Sequence, residues 1–178
     1  GVGFVVCAGT TVESSQACVG MSQKYTPLYA GVGIHPMEAH QPVDESTYAR
    51  LKSMAKENPK VVCISEIGLD FLPTSPDQEL QFQVFREQIR LALQLKLPII
   101  FHSRESHPEV FKTLREEGAG QVGGVMHYFQ GDEATARQAI EYGFFISLAR
   151  PLLRLPELQE VAKIIPLENI VLETDAAP

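Results

Sequence analysis

Val61-Val62-Cys63-Ile64-Ser65-Glu66-Ile67-Gly68-Leu69-Asp70 decides how this chain folds. It opens as a continuous apolar, β-branched run, the pattern of a parallel strand buried on both faces. Glu66 follows almost at once, and a carboxylate placed there is a costly buried charge unless a cation or a donor meets it. Ile99-Ile100-Phe101 repeats the pattern and ends in His102.

Outward from these two runs, short apolar stretches recur along the whole sequence, each followed by a longer stretch with helical spacing of its apolar residues. Strands are expected at 4–9, 28–35, 61–69, 98–102, 124–129, 144–148 and 170–174, and helices at 12–25, 44–57, 76–95, 109–117, 132–142 and 155–164. Ser75-Pro76-Asp77-Gln78 reads as the best-marked helix start, with Ser75 as the N-cap and Pro76 in the first helical position. This alternation predicts parallel β/α units in a single domain covering 1–178.

Seven such strands also fit an open, doubly wound sheet. The position of the polar residues favours a closed barrel. Gly33-Ile34-His35-Pro36, Ser65-Glu66, His102-Ser103-Arg104, Met126-His127-Tyr128-Phe129 and Leu172-Glu173-Thr174-Asp175 all fall at the carboxyl ends of strands. In a (β/α)₈ TIM-type barrel those ends surround one mouth, so residues distant in sequence converge there.

Two imidazoles and two carboxylates, His102, His127, Glu66 and Asp175, suit Zn²⁺, Mn²⁺ or Fe²⁺, and Mg²⁺ where more oxygen and water join them. A metal-activated water would then be the nucleophile, with a nearby carboxylate to take its proton. Each residue also has a plainer reading. A lone histidine after an apolar run is commonly a hydrogen-bonded structural residue, and Asp175 equally suits the cap of a following helix. His35 reads as a ligand, a phosphate contact or a turn residue held by Pro36. Arg104 reads as a contact for an anionic substrate or a partner for Glu105, and Asp70 as a hydrogen-bond partner of the site or a loop residue. His40 and His107 lie in polar contexts and read as solvated.

Composition narrows the classes. The 178 residues are 44% hydrophobic and 21% charged, the balance of an ordinary globular protein. No apolar run approaches the roughly 20 residues that span a bilayer, and the first residues have no basic flank to make a signal peptide. A cytoplasmic protein without a membrane or protein partner is expected. Three cysteines, Cys7, Cys18 and Cys63, form no CxxC pair and read as reduced thiols. A net charge of −7 argues against broad electrostatic attachment to nucleic acid, yet ions can supply positive charge that side chains do not.

At Gly33-Ile34-His35-Pro36, Ser65 to Asp70, Phe101-His102-Ser103-Arg104, His127-Tyr128-Phe129 and Glu173-Thr174-Asp175 the sequence resembles the TatD-related deoxyribonucleases of the amidohydrolase superfamily, with the motifs in the family's order. The resemblance implies a (β/α)₈ barrel with one or two divalent ions, Mg²⁺ or Mn²⁺ foremost and Zn²⁺ as an option, hydrolysing DNA phosphodiesters, often from the 3′ ends of single strands. It implies that Glu66 bridges the metals, that His102 and His127 bind one ion, and that Asp175 is the remaining ligand and orients or deprotonates the attacking water. His35 and Arg104 would sit near the scissile phosphate.

Two departures from that pattern matter. The family opens with a strand ending in a His-x-His pair, whereas no histidine precedes His35 here. The family also continues into a last helix beyond the region of Asp175-Ala176-Ala177-Pro178. Seven strands against a barrel's eight give the same expectation, a chain lacking the first strand and the last helix. Two rival readings follow: a hydrolase of small esters, lactones or amides on the same mouth, and, for an isolated chain, a non-catalytic metal-binding module.

Overall fold

The computed structural model describes residues 1–175, so the Ala176-Ala177-Pro178 end lies outside the described residues. Seven strands, β1 (Val5–Ala8), β2 (Leu28–Val32), β3 (Val61–Asp70), β4 (Ile99–Arg104), β5 (Gly124–Met126), β6 (Phe144–Leu148) and β7 (Ile170–Leu172), form one sheet. Each pairs in parallel with the next in sequence order. The connecting helices are α1 (Val12–Lys24), α2 (Glu45–Glu57), α3 (Gln78–Leu95), α4 (His107–Glu116), α5 (Glu133–Glu141) and α6 (Pro156–Ile164).

The sheet is curled, and side-chain distances show it. Neighbouring strands are about 4.8 Å apart, so in a flat sheet β3 and β7 would be separated by roughly 19 Å. Instead, Nε2 of His127 stands 3.3 Å from Glu66 at β3 and 3.5 Å from Asp175 after β7. The barrel architecture expected from the sequence is therefore the one the strands follow, and within the described residues the sheet is open between β1 and β7.

Strand β3 is the axis of the arrangement. Ile64 pairs with Ile99 and Ile67 with Phe101, so β3 carries one more residue than β4 over that interval, and Ser65 and Glu66 fall within the irregularity. Such bulges re-aim a side chain without ending the strand. Here the Glu66 N–H leaves the ladder and donates to the Gly9 carbonyl at 2.7 Å, just past β1. Gly68, at φ 145, lets the β3 backbone lie against β4, since a Cβ there would overlap the His102 carbonyl oxygen.

Ile64, Ile67, Ile99 and Phe101 are fully buried, and Phe101 packs on Phe111 of α4. Phe101 meets Phe144 edge-on with ring centroids 5.1 Å apart. On the outer side α3 presents the apolar face its spacing predicts, including Val84, Phe85 and Ile89, together with two buried glutamines. Gln88 accepts from Ile34 N–H at 2.7 Å and donates to Ile34 O at 2.9 Å, and Gln81 does the same for Asp70 at 2.8 and 2.9 Å. Both amides satisfy backbone groups next to residues of the mouth, a role the sequence pattern does not announce.

Several boundaries differ from the sequence expectation. Strand β5 stops at Met126 rather than 129, because Tyr128 turns the chain at φ 47. Helix α3 is capped by Asp77, whose side chain accepts from Leu80 N–H, and not by Ser75. Ser75 instead donates to Asp70 at 2.5 Å.

Replacing Gln88 with Leu strands both polar groups of Ile34 in the core, at about 1–3 kcal/mol for each unsatisfied group. Urea denaturation of Gln88→Leu is expected to show a loss of about 2–6 kcal/mol. The exposed Gln94→Leu on the same helix should be close to neutral. Equal stability of the two variants would contradict this account of the α3 contact.

Candidate metal centre

The carboxylate of Glu66 lies at the middle of the mouth, 8% exposed. Its Oε1 is approached by Nε2 of His35 at 3.5 Å, Nδ1 of His102 at 3.3 Å and Nε2 of His127 at 3.3 Å. None of the three is aligned as a hydrogen-bond donor to it, so this buried oxygen is held by charge alone. Burial pushes the Glu66 carboxyl up, but the proximity of His102 and His35 and the charge of His127 outweigh it and hold it well below the usual carboxylate range.

The two imidazoles with the most fixed orientation are each held from behind by a carboxylate. Nε2 of His102 bonds Asp70 Oδ2 at 2.8 Å, which turns its Nδ1 toward Glu66. Nδ1 of His127 bonds Glu173 Oε2 at 2.9 Å, which turns its Nε2 toward Glu66 and Asp175. Burial lowers the His102 pKa, while Asp70 and Glu66 raise it by more, to about 9. His127 is raised in the same sense, burial being outweighed by Glu173, Glu66 and Asp175. Asp70 is held low by His102, Ser75 and the Leu72 N–H against the opposing effect of burial.

Asp70 thus takes the first of its two sequence readings, a partner of the site. Glu173 was quoted in the sequence pattern without a role. Its Oε2 also accepts from Tyr128 N–H at 3.3 Å and from the Ser147 hydroxyl of β6. One signal for it exists in the sequence: Glu173 and Asp175 are two residues apart, the spacing that places side chains on one face of an extended segment. Ser147 carries no such signal.

Asp175 reaches the cluster from a left-handed backbone position, φ 48, with its side chain about half exposed. His35 accepts from Met37 N–H at Nδ1, at 3.1 Å. In its neutral form its proton therefore sits on Nε2, on the side of Glu66. Arg104 ends β4, exposed, two residues beyond His102, and it makes no ion pair among the described residues, with Glu105 or otherwise. His40 is exposed as expected, but His107 is not a solvated residue. It is half-buried at the start of α4, with Nδ1 2.6 Å from the Ser103 hydroxyl.

These residues fit a divalent cation. His35, Glu66 and His102 lie close enough together to hold an ion, as do His127, Glu173 and Asp175. Among the described residues, two buried carboxylate oxygens, Oε1 of Glu66 and Oε1 of Glu173, lack a hydrogen-bond donor. Two imidazole nitrogens with fixed partners on their far sides point at the first of them, the arrangement in which an outer carboxylate fixes the tautomer of a metal-binding histidine. Glu173 Oε2 is already committed to His127, Tyr128 and Ser147, so that carboxylate acts on His127 from behind.

Known proteins share this fold. The family model for TatD-related DNases matches residues 1–178. An uncharacterized metal-dependent hydrolase, YabD, of Bacillus subtilis is 35% identical over 96% of this chain and 67% of its own length. A 3′-5′ ssDNA/RNA exonuclease TatD of Cronobacter turicensis is 35% identical over 99% of this chain and 67% of its own. The crystal structure of YjjV, a TatD homologue from Escherichia coli, superposes with a TM-score of 0.91 at 30% identity, over 99% of this chain and 68% of the other. The chain thus spans about two thirds of the length of these relatives. Its curled parallel sheet is that of a metal-dependent hydrolase, and the chain belongs to the TatD-related DNase family.

Proposed function

We propose that this protein hydrolyses DNA phosphodiesters from the 3′ ends of single strands, using Mg²⁺ or Mn²⁺ held by Glu66, His102, His127 and Asp175, in the cytoplasm and as one barrel domain. The observation that carries the reading is the Glu66 carboxylate, buried without a hydrogen bond to Oε1 and faced by three imidazole nitrogens within 3.5 Å. The exonuclease name of the Cronobacter relative supports the substrate and polarity. Three free thiols suit a reducing compartment, and no helix among the described residues is long and apolar enough to cross a membrane.

Bound divalent ions would supply charge stabilisation on the phosphate and lower the pKa of attacking water toward neutrality. The chain's own residues do the rest. Asp175, the most exposed carboxylate of the cluster, orients the water and accepts its proton. Asp70 and Glu173 keep one nitrogen each of His102 and His127 directed inward. His35 offers Nε2–H to a non-bridging phosphate oxygen. Arg104 presents a positive charge to the polyanion in a chain of net charge −7, where most cations lie elsewhere.

The deciding experiment is degradation of 5′-labelled single-stranded DNA with Mg²⁺ or Mn²⁺, run beside Glu66→Ala. A ladder shortening from the 3′ end that disappears in the variant is expected. Turnover of uncharged esters with DNA left intact would replace this reading with a small-molecule hydrolase.

Two further outcomes follow from the geometry. Glu173→Gln, which keeps the shape of the side chain, is expected to weaken Mn²⁺ binding by about 10- to 100-fold in calorimetry. Unchanged affinity would remove Glu173 from the site. Arg104→Ala is expected to raise KM more than it lowers kcat and to flatten the salt dependence of binding. A pure kcat effect would place Arg104 in the chemical step instead.

A further inference from the structure

Tyr128 stands out among the aromatic residues. Tyr48 and Tyr142 pack on the apolar core, and Phe129, the next residue, is 1% exposed within it. Tyr128, like Tyr29, is half-buried and not among the residues packed on that core, but the Tyr29 ring already meets Phe4 and Lys60. Its ring lies 5.9 Å from the His127 imidazole, tilted by 37°, which places it at the rim of the metal centre.

The backbone that puts it there is unfavourable for a bulky residue. Tyr128 has φ 47, a left-handed conformation that glycine and asparagine adopt far more readily. The turn is fixed on both sides: Tyr128 N–H is held by Glu173, His127 N–H donates to Phe101 O at 3.0 Å, and Phe129 N–H donates to Ser147 O at 3.0 Å. A fold that needed only a turn at this point would be served better by glycine. A large flat ring kept in a strained position beside a reaction centre points to a contact with substrate.

The surroundings identify the chemistry. On the adjacent strand β4, Arg104 lies two residues beyond His102, hence on the same face, exposed and without an ion pair among the described residues. One flat aromatic face and one free cation beside a phosphodiester-cleaving centre match the two contacts single-stranded nucleic acid offers, base and phosphate. We propose that the Tyr128 ring stacks on the base of the nucleotide whose phosphodiester is presented to the metal centre, while Arg104 meets the backbone. This rests on the nuclease reading above. Recognition through a ring face tolerates every base and requires only that a base be present.

The test uses 5′-labelled single-stranded oligonucleotides ending either in an ordinary 3′ nucleotide or in an abasic 3′ residue. Cleavage is followed for the protein, Tyr128→Leu and Tyr128→Phe. Equilibrium binding by fluorescence anisotropy in EDTA and Mn²⁺ affinity by calorimetry are measured alongside. On the ordinary end Tyr128→Leu is expected to raise Kd and KM roughly ten- to hundredfold, with kcat and Mn²⁺ affinity little changed, and Tyr128→Phe to retain the original values. The unsubstituted protein should itself discriminate against the abasic end by a similar factor, and Tyr128→Leu should lose nothing further on it.

Equal losses on both ends would show a merely structural tyrosine, and a protein indifferent to the abasic end would overturn the stacking even if Tyr128→Leu failed to fold. A protein that cleaves ordinary ends while Tyr128→Leu cleaves them equally well defeats the stacking alone. Neither binding nor cleavage of any oligonucleotide defeats the nuclease reading and the stacking together.

Discussion

One carboxylate oxygen, Oε1 of Glu66, organises this molecule. Removing an ionised carboxylate from water costs several kcal/mol, and burial alone would drive it toward the protonated acid. Three imidazoles within 3.5 Å reverse that outcome, so the charge persists in a place where no described residue gives it a hydrogen bond. The imidazoles are directed in turn. Asp70 and Glu173 stand behind two of them, and the backbone N–H of Met37 stands behind the third. An alternating set of acids and bases results, spread over five strand ends and directed toward one point.

Holding that set together is a problem of backbone placement, which the wall of the barrel solves with three devices. The irregularity at Ser65 and Glu66 swings the glutamate out of register with β4, and Gly68 brings the two backbones together directly afterwards. Gln81 and Gln88 then supply, from a helix, hydrogen bonds that no strand neighbour makes to Asp70 and Ile34. Displacing either strand end by an ångström would detune several contacts at once, because interiors packed at crystal density pass displacement on to their neighbours. The buried amides are thus tied to the metal centre although neither touches it.

The β/α order was legible because both periods, continuous apolar runs and helical spacing, are strong in this chain, and all thirteen segments exist near their expected places. The convergence of Glu66, His102, His127 and Asp175 at one mouth was legible because each follows an apolar run, where a charge needs a reason. What escaped was whatever depends on direction. Ser75 and Asp77 both look like caps, and only geometry shows that Ser75 turns back to Asp70. His107 sits among polar neighbours in sequence but is half-buried, because the start of α4 brings its ring against the Ser103 hydroxyl. Glu173 was hidden by its neighbour: a second carboxylate two residues before Asp175 looks redundant until the His127 ring shows two nitrogens needing two different partners. Spacing reports which residues share a face, not which atom of each is used.

The same distinction explains where the backbone is strained. Of the four non-glycine residues with positive φ among the described residues, one, Lys96, ends helix α3, and the other three, Glu105, Tyr128 and Asp175, lie in the segments directly after β4, β5 and β7. A strand that delivers a side chain to the mouth must turn at once toward its helix, and the turn must not drag that side chain away. Left-handed residues make such a turn within one position, at a cost of about 1–3 kcal/mol each. The sheet tolerates that cost because the residues on either side remain bonded: Phe71 N–H to Arg104 O before Glu105, and Phe129 N–H to Ser147 O after Tyr128. Strain at the mouth and order in the wall are two sides of one arrangement. A smoother turn would relieve the backbone and release the side chains that make the site.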